Sequence, residues 1–354
     1  MSRLAALLKH LAEDRGTLTQ QQGCSALREM LEGDASDVEI ASLLTAIAVR
    51  GATVEELAGF VQAMRTMSRP VPLSEPEREQ LVDTCGTGGD GQGTFNISTA
   101  AALVAAAAGA RIAKHGNRGL TSKCGSADVL EALGVPVELE PEMAVECLRQ
   151  TGFMFLYAPA LHPAMKRVQP VRRALGFRTI FNLAGPLTNP AGAKAQVVGV
   201  FASGGVSLVA ETLARLGVRH ALVVHGRDGL DELTLNGVSD VAEVREHTVR
   251  SFTLEAGQAG LKQAPLSALA GCDAGENASL IERILQGEHG PPRDVVLLNA
   301  AAALIVGGHV VDFTNGVQRA ADAVDSGAGL RLLARLREFK AETREDAIKS
   351  VANR

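Results

Sequence analysis

The chain has 354 residues, of which 46% are hydrophobic but only 3% aromatic, with no Trp and one Tyr. This apolar share is typical of a globular protein and excludes a disordered chain, and the length suggests about two domains. The 35 basic residues nearly balance the 40 acidic ones, for a net charge of −5. Without a basic excess or many rings on which bases could stack, a nucleic-acid-binding protein is not expected.

The N-terminus lacks the long apolar centre of a secretory signal. The most apolar stretch, residues 99–113, is rich in Ala and shorter than the ~20 residues that cross a bilayer. The five cysteines form no CxxC pair, which favours reduced thiols over disulfides or a zinc site. We therefore expect a cytoplasmic protein with no membrane segment.

Amphipathic helices are predicted along the first 67 residues. Leu4, Leu7 and Leu11 show the three-to-four-residue spacing of a helix with one apolar face. Further helices are predicted to begin at Thr17, which starts a Thr-x-x-Gln pattern, and to cover Ala35 to Val49 and Thr53 to Met67. Asp37 and Thr53 are predicted N-caps. The first 72 residues thus form a small helical domain.

Residues 68–80 contain three prolines and are predicted to be a semi-rigid linker. After it, short apolar runs alternate with helical stretches, as in a parallel sheet built from βαβ units. The predicted fold class is α/β, in which a mostly parallel central sheet flanked by helices forms the larger domain, residues 78–164 and 191–354. Residues from about 165 to 190 interrupt the alternation and are expected to join the helical domain.

A glycine-rich loop, DTCGTGGDGQGTFNIST at residues 83–99, follows the first predicted strand. Such a loop can turn bare backbone N–H groups toward an anion, and the N-terminus of the following helix adds partial positive charge. Ser98 and Thr99 are candidate N-caps of that helix. A flexible turn is the alternative interpretation.

A second loop begins at Lys114, directly after a predicted strand at 111–113. It carries Lys114, Arg118 and Lys123 at the carboxyl end of a strand, where open α/β sheets bind ligands. We interpret it as a phosphate-binding loop, and ordinary solvated loop charges are the alternative.

Asp231 and Glu232 follow another predicted strand. Adjacent carboxylates can bind Mg²⁺, which takes a few carboxylates together with phosphate oxygens of a substrate. A surface pair is the alternative.

The segment 162–173 contains Arg167, Arg172 and Arg173. One guanidinium facing a cavity could bind a carboxylate through two parallel hydrogen bonds. A solvated helix face fits the spacing equally well.

Seven motifs in one order carry a resemblance to a known family. They are DTCGTGGDG (83–91), FNIST (95–99), KHGNR (114–118), GSADVLEALG (125–134), PVR (170–172), FNLAGPLTNP (181–190) and LDE (230–232). The chain resembles the anthranilate phosphoribosyltransferases over nearly its whole length. The resemblance implies transfer of a 5-phosphoribosyl group from phosphoribosyl pyrophosphate (PRPP) to the amine of anthranilate, with two Mg²⁺ ions per active site, in tryptophan biosynthesis.

The resemblance also implies roles for particular residues of this chain. The PRPP-binding residues are Gly86, Gly89, Asp90, Thr94, Asn96, Ile97, Ser98, Thr99, Lys114, His115, Gly116, Asn117, Arg118, Gly119, Leu120, Thr121, Ser122 and Ser126. The anthranilate-binding residues are Gly86, Asn117, His162, Arg172 and Gly185. The metal ligands are Ser98, Asp231 and Glu232, and the catalytic residues are His115, Asn117 and Arg172. A homodimer through the N-terminal helices is expected as well.

Two alternatives share this fold. A pyrimidine nucleoside phosphorylase would use phosphate and a nucleoside, without the paired carboxylates. A noncatalytic nucleic-acid-binding relative would lack the pair and Arg172 and would carry positive charge. The intact Asp231–Glu232 pair favours the transferase over both.

Overall fold

The computed structural model describes residues 3–119 and 123–339. Its N-terminal part is a set of helices, α1 (Arg3–Ala12), α2 (Gln20–Glu32), α3 (Asp37–Arg50) and α4 (Val54–Thr66). Thr19, Ser36 and Thr53 cap the last three through reciprocal hydrogen bonds with the residue three positions on. The predicted cap at Thr53 is confirmed. The predicted helix start at Thr17 and the predicted cap at Asp37 are wrong, because Thr19 and Ser36 occupy the caps and Asp37 lies in the first helical turn.

A seven-stranded sheet forms the larger part, in the order β3-β2-β1-β4-β5-β6-β7. The strands are β1 (Leu81–Gly86), β2 (Arg111–Gly116), β3 (Phe153–Tyr157), β4 (Ala195–Gly199), β5 (His220–Gly226), β6 (Val238–Arg245) and β7 (Thr248–Glu255). The first five pair in parallel, and β6 and β7 are added antiparallel. The predicted mostly parallel sheet is confirmed.

Further helices connect and cover the strands. They are α5 (Glu75–Glu79), α6 (Ile97–Ala107), α7 (Ser126–Ala132), α8 (Pro141–Thr151), α9 (Ala158–Leu161), α10 (Gln169–Leu175), α11 (Ile180–Ala184), α12 (Gly205–Arg215), α13 (Ala274–Leu285), α14 (Pro291–Val306) and α15 (Phe313–Asp325), and residues 328–339 are also helical. Short 3₁₀ turns occupy Pro163–Arg167, Gly185–Leu187, Ala256–Ala259 and Leu266–Leu269. Within the described ranges, no helix combines the length and the apolar character needed to cross a membrane.

Two large apolar cores lie on opposite faces of the sheet, and a third, smaller cluster includes Leu81, Ala113 and Met154 of its strands. The core on one face includes the alanine-rich helices α6 and α14, which pack against each other and in which Ala100 to Ala105 and Ala300 to Ala303 are fully buried. Small side chains let two helix backbones approach closely, which explains a large core built with few aromatic rings. The other core joins the N-terminal helices to α12 and to the segment around α10 and α11. In that second core Phe60 of α4 meets Phe181 of α11 edge to face, with ring centroids 5.6 Å apart.

Strand β1 lies between β2 on one side and β4 on the other. The chain order of the strands reverses at this point, and open α/β sheets bind ligands beyond the carboxyl ends of the strands there. The loops that follow β1, β2 and β4 are therefore where a site is expected.

Candidate functional site

The glycine-rich loop leaves the carboxyl end of β1 and leads to α6. Gly88, Gly89, Gly91 and Gly93 have φ angles of 63°, 72°, 74° and 67°, a left-handed region that residues with a side chain rarely adopt. Asn96 precedes α6 as its cap residue, so the prediction that Ser98 and Thr99 are N-caps is wrong. Both lie in the first turn of the helix, and their backbone N–H groups donate to Glu232 Oε1 at 3.1 Å and to the Asn96 carbonyl at 3.2 Å.

The acidic pair meets this loop across the sheet. Asp231 Oδ2 accepts a hydrogen bond of 2.8 Å from the Gly88 N–H, and Glu232 Oε1 accepts one of 3.1 Å from the Ser98 N–H. A Cβ on Gly86 would lie 2.7 Å from Asp231 Oδ2, and one on Gly199 would lie 1.6 Å from the Asp231 carbonyl oxygen. Two glycines at strand ends thus let the acidic pair approach the loop.

Both carboxyl groups are partly reached by solvent but lie mostly within protein. Burial, followed by repulsion from Asp90, raises the pKa of Asp231 to about 7. Burial, followed by repulsion from Asp231, raises the pKa of Glu232 to about 8. A bound cation would offset both effects.

This donor set fits Mg²⁺. Two carboxylates and the Ser98 hydroxyl are hard oxygen ligands, and Mg²⁺ commonly binds one or two carboxylates plus substrate phosphates. Across the described residues, no group of three or more His, Cys, Asp or Glu side chains is gathered as a complete metal site.

Lys114 lies inside the protein and not in the second loop. Strand β2 continues to Gly116 because its last residues pair with β3, so the predicted strand end at residue 113 is wrong. The Lys114 ammonium donates to the Thr84 carbonyl and lies 3.4 Å from Ser98 Oγ. Burial lowers its pKa, and the acidic groups around it oppose that effect. Its charge thus acts from beneath the glycine-rich loop.

The rest of the second loop is organised by Asp128, near the start of α7. One oxygen of its carboxylate accepts hydrogen bonds of 2.8 Å from both the Gly119 and the Gly125 N–H groups. The Arg118 guanidinium is ion-paired with Asp128, Glu131 and Glu138, so its charge is already compensated. Three predicted PRPP-binding residues, Leu120, Thr121 and Ser122, lie outside the described residues.

Asn117 and Ser126 meet at the two ends of this loop. Asn117 Oδ1 accepts a hydrogen bond of 2.8 Å from the Arg118 N–H, and Ser126 Oγ donates one of 3.3 Å to the Asn117 carbonyl. Asn96 joins the same region, because its Nδ2 donates to the Cys124 carbonyl at 3.2 Å. The two predicted phosphate loops are therefore in direct contact.

His115 and His162 lie side by side, with ring centroids 5.2 Å apart. Within the described part of the chain, the buried Nε2 of each ring has no hydrogen-bond partner. Burial lowers the pKa of both, and that of His162 falls to about 4. Both imidazoles are therefore neutral near pH 7 and can accept a hydrogen bond.

The three arginines of segment 162–173 have different surroundings. Arg167 is ion-paired with Asp37 of α3 at 2.7 Å, and Arg173 is exposed. Arg172 is partly buried, with its Cζ 5.0 Å from the centroid of the Phe181 ring, and burial lowers its pKa. No ion pair of Arg172 occurs among the described residues, so its charge remains available to an anionic ligand.

Two positions near the site were not predicted. Asp83 is fully buried in β1 and accepts a hydrogen bond of 3.1 Å from the His115 N–H, and burial raises its pKa to about 6. An acid within the apolar run LVDTC was a detectable signal. Arg178, which donates to the Gly89 carbonyl at 2.9 Å, had no signal because its partners are distant in sequence.

Comparison with known proteins agrees with this architecture. The chain matches family models described as the a/b domain of a glycosyl transferase family over residues 78–330 and its helical bundle domain over residues 5–68. It is 51% identical over 322 residues to an anthranilate phosphoribosyltransferase of Pelotomaculum thermopropionicum, covering 91% of this chain and 92% of the relative.

Solved structures show the same likeness. The anthranilate phosphoribosyltransferase of Thermus thermophilus superposes with a TM-score of 0.89 at 44% identity, covering 96% of this chain and 99% of that one. The enzyme of Saccharomyces cerevisiae in complex with PRPP and Mg has a TM-score of 0.86 at 29% identity, covering 96% and 98%. Its complex with 4-fluoroanthranilate has a TM-score of 0.85 at 28% identity, covering 96% and 99%. This chain therefore belongs to the anthranilate phosphoribosyltransferase family of glycosyl transferases.

Proposed function

We propose that this chain transfers the 5-phosphoribosyl group of PRPP to the amine of anthranilate and releases pyrophosphate, within tryptophan biosynthesis. The observation that carries this assignment is the contact of the acidic pair with the glycine-rich loop, through Gly88 and Ser98. That contact unites a backbone cradle for phosphates with carboxylates suited to Mg²⁺. A nucleoside phosphorylase has no need of the second element.

The glycine-rich loop and α6 would hold the pyrophosphate and ribose. Positive φ at Gly88 and Gly89 makes a tight turn of residues without side chains, so that bare backbone can lie close to a phosphate. The N-terminus of α6, at Ile97 to Thr99, adds partial positive charge. The Lys114 ammonium, 3.4 Å from Ser98 Oγ, would add a full positive charge next to the glycine-rich loop and the start of α6.

Asp231, Glu232 and Ser98 would hold Mg²⁺, and we propose two ions per site. When bound, Mg²⁺ supplies electrostatic stabilisation of the negative charge on the departing pyrophosphate. Leaving-group departure is the difficult part of the transfer, since the amine of an aniline is a neutral nucleophile. The site is accordingly built to stabilise charge.

Anthranilate would bind on the side of the cleft formed by α10 and α11. Arg172, with its uncompensated charge, would bind the carboxylate, and Asn117 would orient the ring from the opposite side. The neutral imidazoles of His115 and His162 would lie along the path of the ring with Gly86 and Gly185. Since the described site has no Trp, small and polar groups would hold the ring.

We also propose a homodimer through the N-terminal helices. Val38 and Val49 on α3 are 74% and 84% exposed, and eleven residues, or three turns, place them on one face. Burial of that face against a second copy would remove two large aliphatic side chains from water. We further propose that residues 1–72 and 165–190 move together as one domain relative to the α/β domain. The protein is proposed to act in the cytoplasm.

The decisive experiment follows anthranilate fluorescence with the purified protein. Loss of fluorescence is expected only when PRPP and Mg²⁺ are both present, with equimolar pyrophosphate formed. Phosphorolysis of thymidine or uridine would instead establish the phosphorylase alternative. A gel shift with DNA or RNA at moderate salt would indicate the nucleic-acid-binding alternative.

A further inference from the structure

Arg178 lies in the exposed loop between α10 and α11 and reaches across to the glycine-rich loop. Its Nη2 donates a 2.9 Å hydrogen bond to the Gly89 carbonyl oxygen. Its Cζ lies 4.2 Å from the centroid of the Phe201 ring, well within the range of a cation–π contact. The guanidinium thus touches two separate loops at once.

Phe201 also contacts the glycine-rich loop, so Arg178 and Phe201 touch both each other and this loop. The Phe201 backbone N–H donates to Thr87 Oγ1 at 3.0 Å, and the Thr87 N–H donates to the Gly199 carbonyl at 2.9 Å. Three consecutive residues of the loop are therefore fixed from three directions. The end of β4 holds Thr87, the carboxylate of Asp231 holds Gly88, and Arg178 holds Gly89.

The contact at Gly89 controls the direction of one peptide group. In a trans peptide the carbonyl and the following N–H point in opposite directions. When Arg178 draws the Gly89 carbonyl to its own side, the Asp90 N–H points away from Arg178. Rotation of this peptide plane changes ψ of Gly89 and φ of Asp90, and Gly89 opposes it little because it has no Cβ, so the guanidinium is needed to fix its direction.

We infer that Arg178 is a positioning residue for PRPP, holding the Gly89–Asp90 peptide so that its N–H serves the pyrophosphate. The inference rests on the proposed function, which assigns this loop to PRPP. Lysine cannot replace it, because only the planar guanidinium stacks on Phe201 while donating along its edge. The Phe201 ring in turn keeps the guanidinium oriented.

The test uses Arg178→Met, Arg178→Lys, Phe201→Leu and the double variant that combines Arg178→Met with Phe201→Leu. Arg173→Met is the control variant. Arg173 is an exposed arginine of the same segment, for which no ion pair occurs in the described part of the chain. Steady-state kinetics gives kcat and both KM values, thermal melting followed by circular dichroism reports folding, and calorimetry measures binding of inorganic pyrophosphate with Mg²⁺.

Loss of one charge-assisted hydrogen bond predicts a rise of about ten-fold in the KM for PRPP in Arg178→Met. Arg178→Lys is expected to match it, with the KM for anthranilate and the melting temperature unchanged. Pyrophosphate binding should weaken by a similar factor. Because the Phe201 ring acts through the guanidinium, the double variant is expected to have the same KM for PRPP as Arg178→Met. The effects of the two substitutions on that KM will therefore not multiply.

A KM for PRPP within two-fold of the original protein in Arg178→Met would overturn the inference. So would an equal rise in Arg173→Met, or a loss confined to the melting temperature. A protein that binds pyrophosphate in the Arg178-dependent manner but does not consume anthranilate would refute only the proposed function. Normal turnover with pyrophosphate binding insensitive to Arg178 would refute only the inference.

Discussion

Neutralising the acidic pair is expected to change how the stability of the metal-free protein depends on pH. The perturbation is the double substitution Asp231→Asn and Glu232→Gln, which keeps the side-chain shapes and the acceptor oxygens for the Gly88 and Ser98 N–H groups. Burial raises the pKa of the two carboxyl groups to about 7 and about 8. In the unfolded chain such groups ionise near pH 4.

The direction in which stability changes with pH follows from proton binding. Between about pH 4 and pH 7 the folded protein holds protons that the unfolded chain has lost, so folding becomes less favourable as the pH rises. A carboxyl group that ionises near pH 7 when folded and near pH 4 when unfolded destabilises the folded protein by ~3 kcal/mol more at pH 8 than at pH 5. In the original protein with EDTA, we expect the free energy of unfolding to fall by at least this amount between pH 5 and pH 8. In the double variant, we expect this fall to disappear.

Urea unfolding measures the difference. The chain has no Trp, so unfolding is followed by far-ultraviolet circular dichroism at several pH values between 5 and 8. Glu211→Gln, which alters an exposed carboxylate on α12, is the matched control and should keep the pH dependence of the original protein. At pH 8, Mg²⁺ with pyrophosphate should restore stability to the original protein but not to the double variant. Parallel pH profiles for the original protein and the double variant would refute the electrostatic reasoning.

Three further outcomes are expected. Arg172→Ala should raise the KM for anthranilate at least about ten-fold while changing that for PRPP little, since a charged hydrogen bond to a carboxylate is lost; the opposite ranking in steady-state kinetics would remove Arg172 from the anthranilate site. Gly199→Ala should lower activity and reduce the free energy of unfolding measured in urea by ~1–3 kcal/mol, because its Cβ would overlap the Asp231 carbonyl at 1.6 Å. Gly257→Ala, where a Cβ meets nothing within 4 Å, should leave both unchanged. The His162 ring proton should titrate by NMR near pH 4, since burial lowers its pKa to about 4; titration between pH 6 and 7 would contradict that account.

Much of the fold could be predicted from local pattern. Alternation of apolar runs and helices indicated the parallel sheet, which is the larger part of the structure, and the Thr53 cap was read from its own side chain. Where two capping residues are adjacent, as at Ser36 and Asp37, composition does not select between them. The choice depends on which residue leaves the helical conformation, and that is decided by the path of the entering chain.

The extent of a strand depends on its neighbour. Residues 111–113 were predicted to end β2, but pairing of Lys114 with Phe155 and of Gly116 with Tyr157 extends it to residue 116. That extension moves Lys114 from a solvated loop into the protein interior. The residue pattern of one β-strand carries no information about its pairing with a second strand some forty residues away.

By itself, the sequence determined the chemistry that this protein can perform, because glycine conformational freedom, adjacent carboxylates and family motifs are properties of short segments. It did not determine which charges remain available. Among the described residues, Arg118 is compensated by three carboxylates and Arg172 is left without one, while Arg178 reaches a carbonyl 89 positions away in sequence. Those outcomes depend on how α7, α10 and the glycine-rich loop pack in three dimensions. Since the energy of a charge is set by its surroundings, only the tertiary structure decided them.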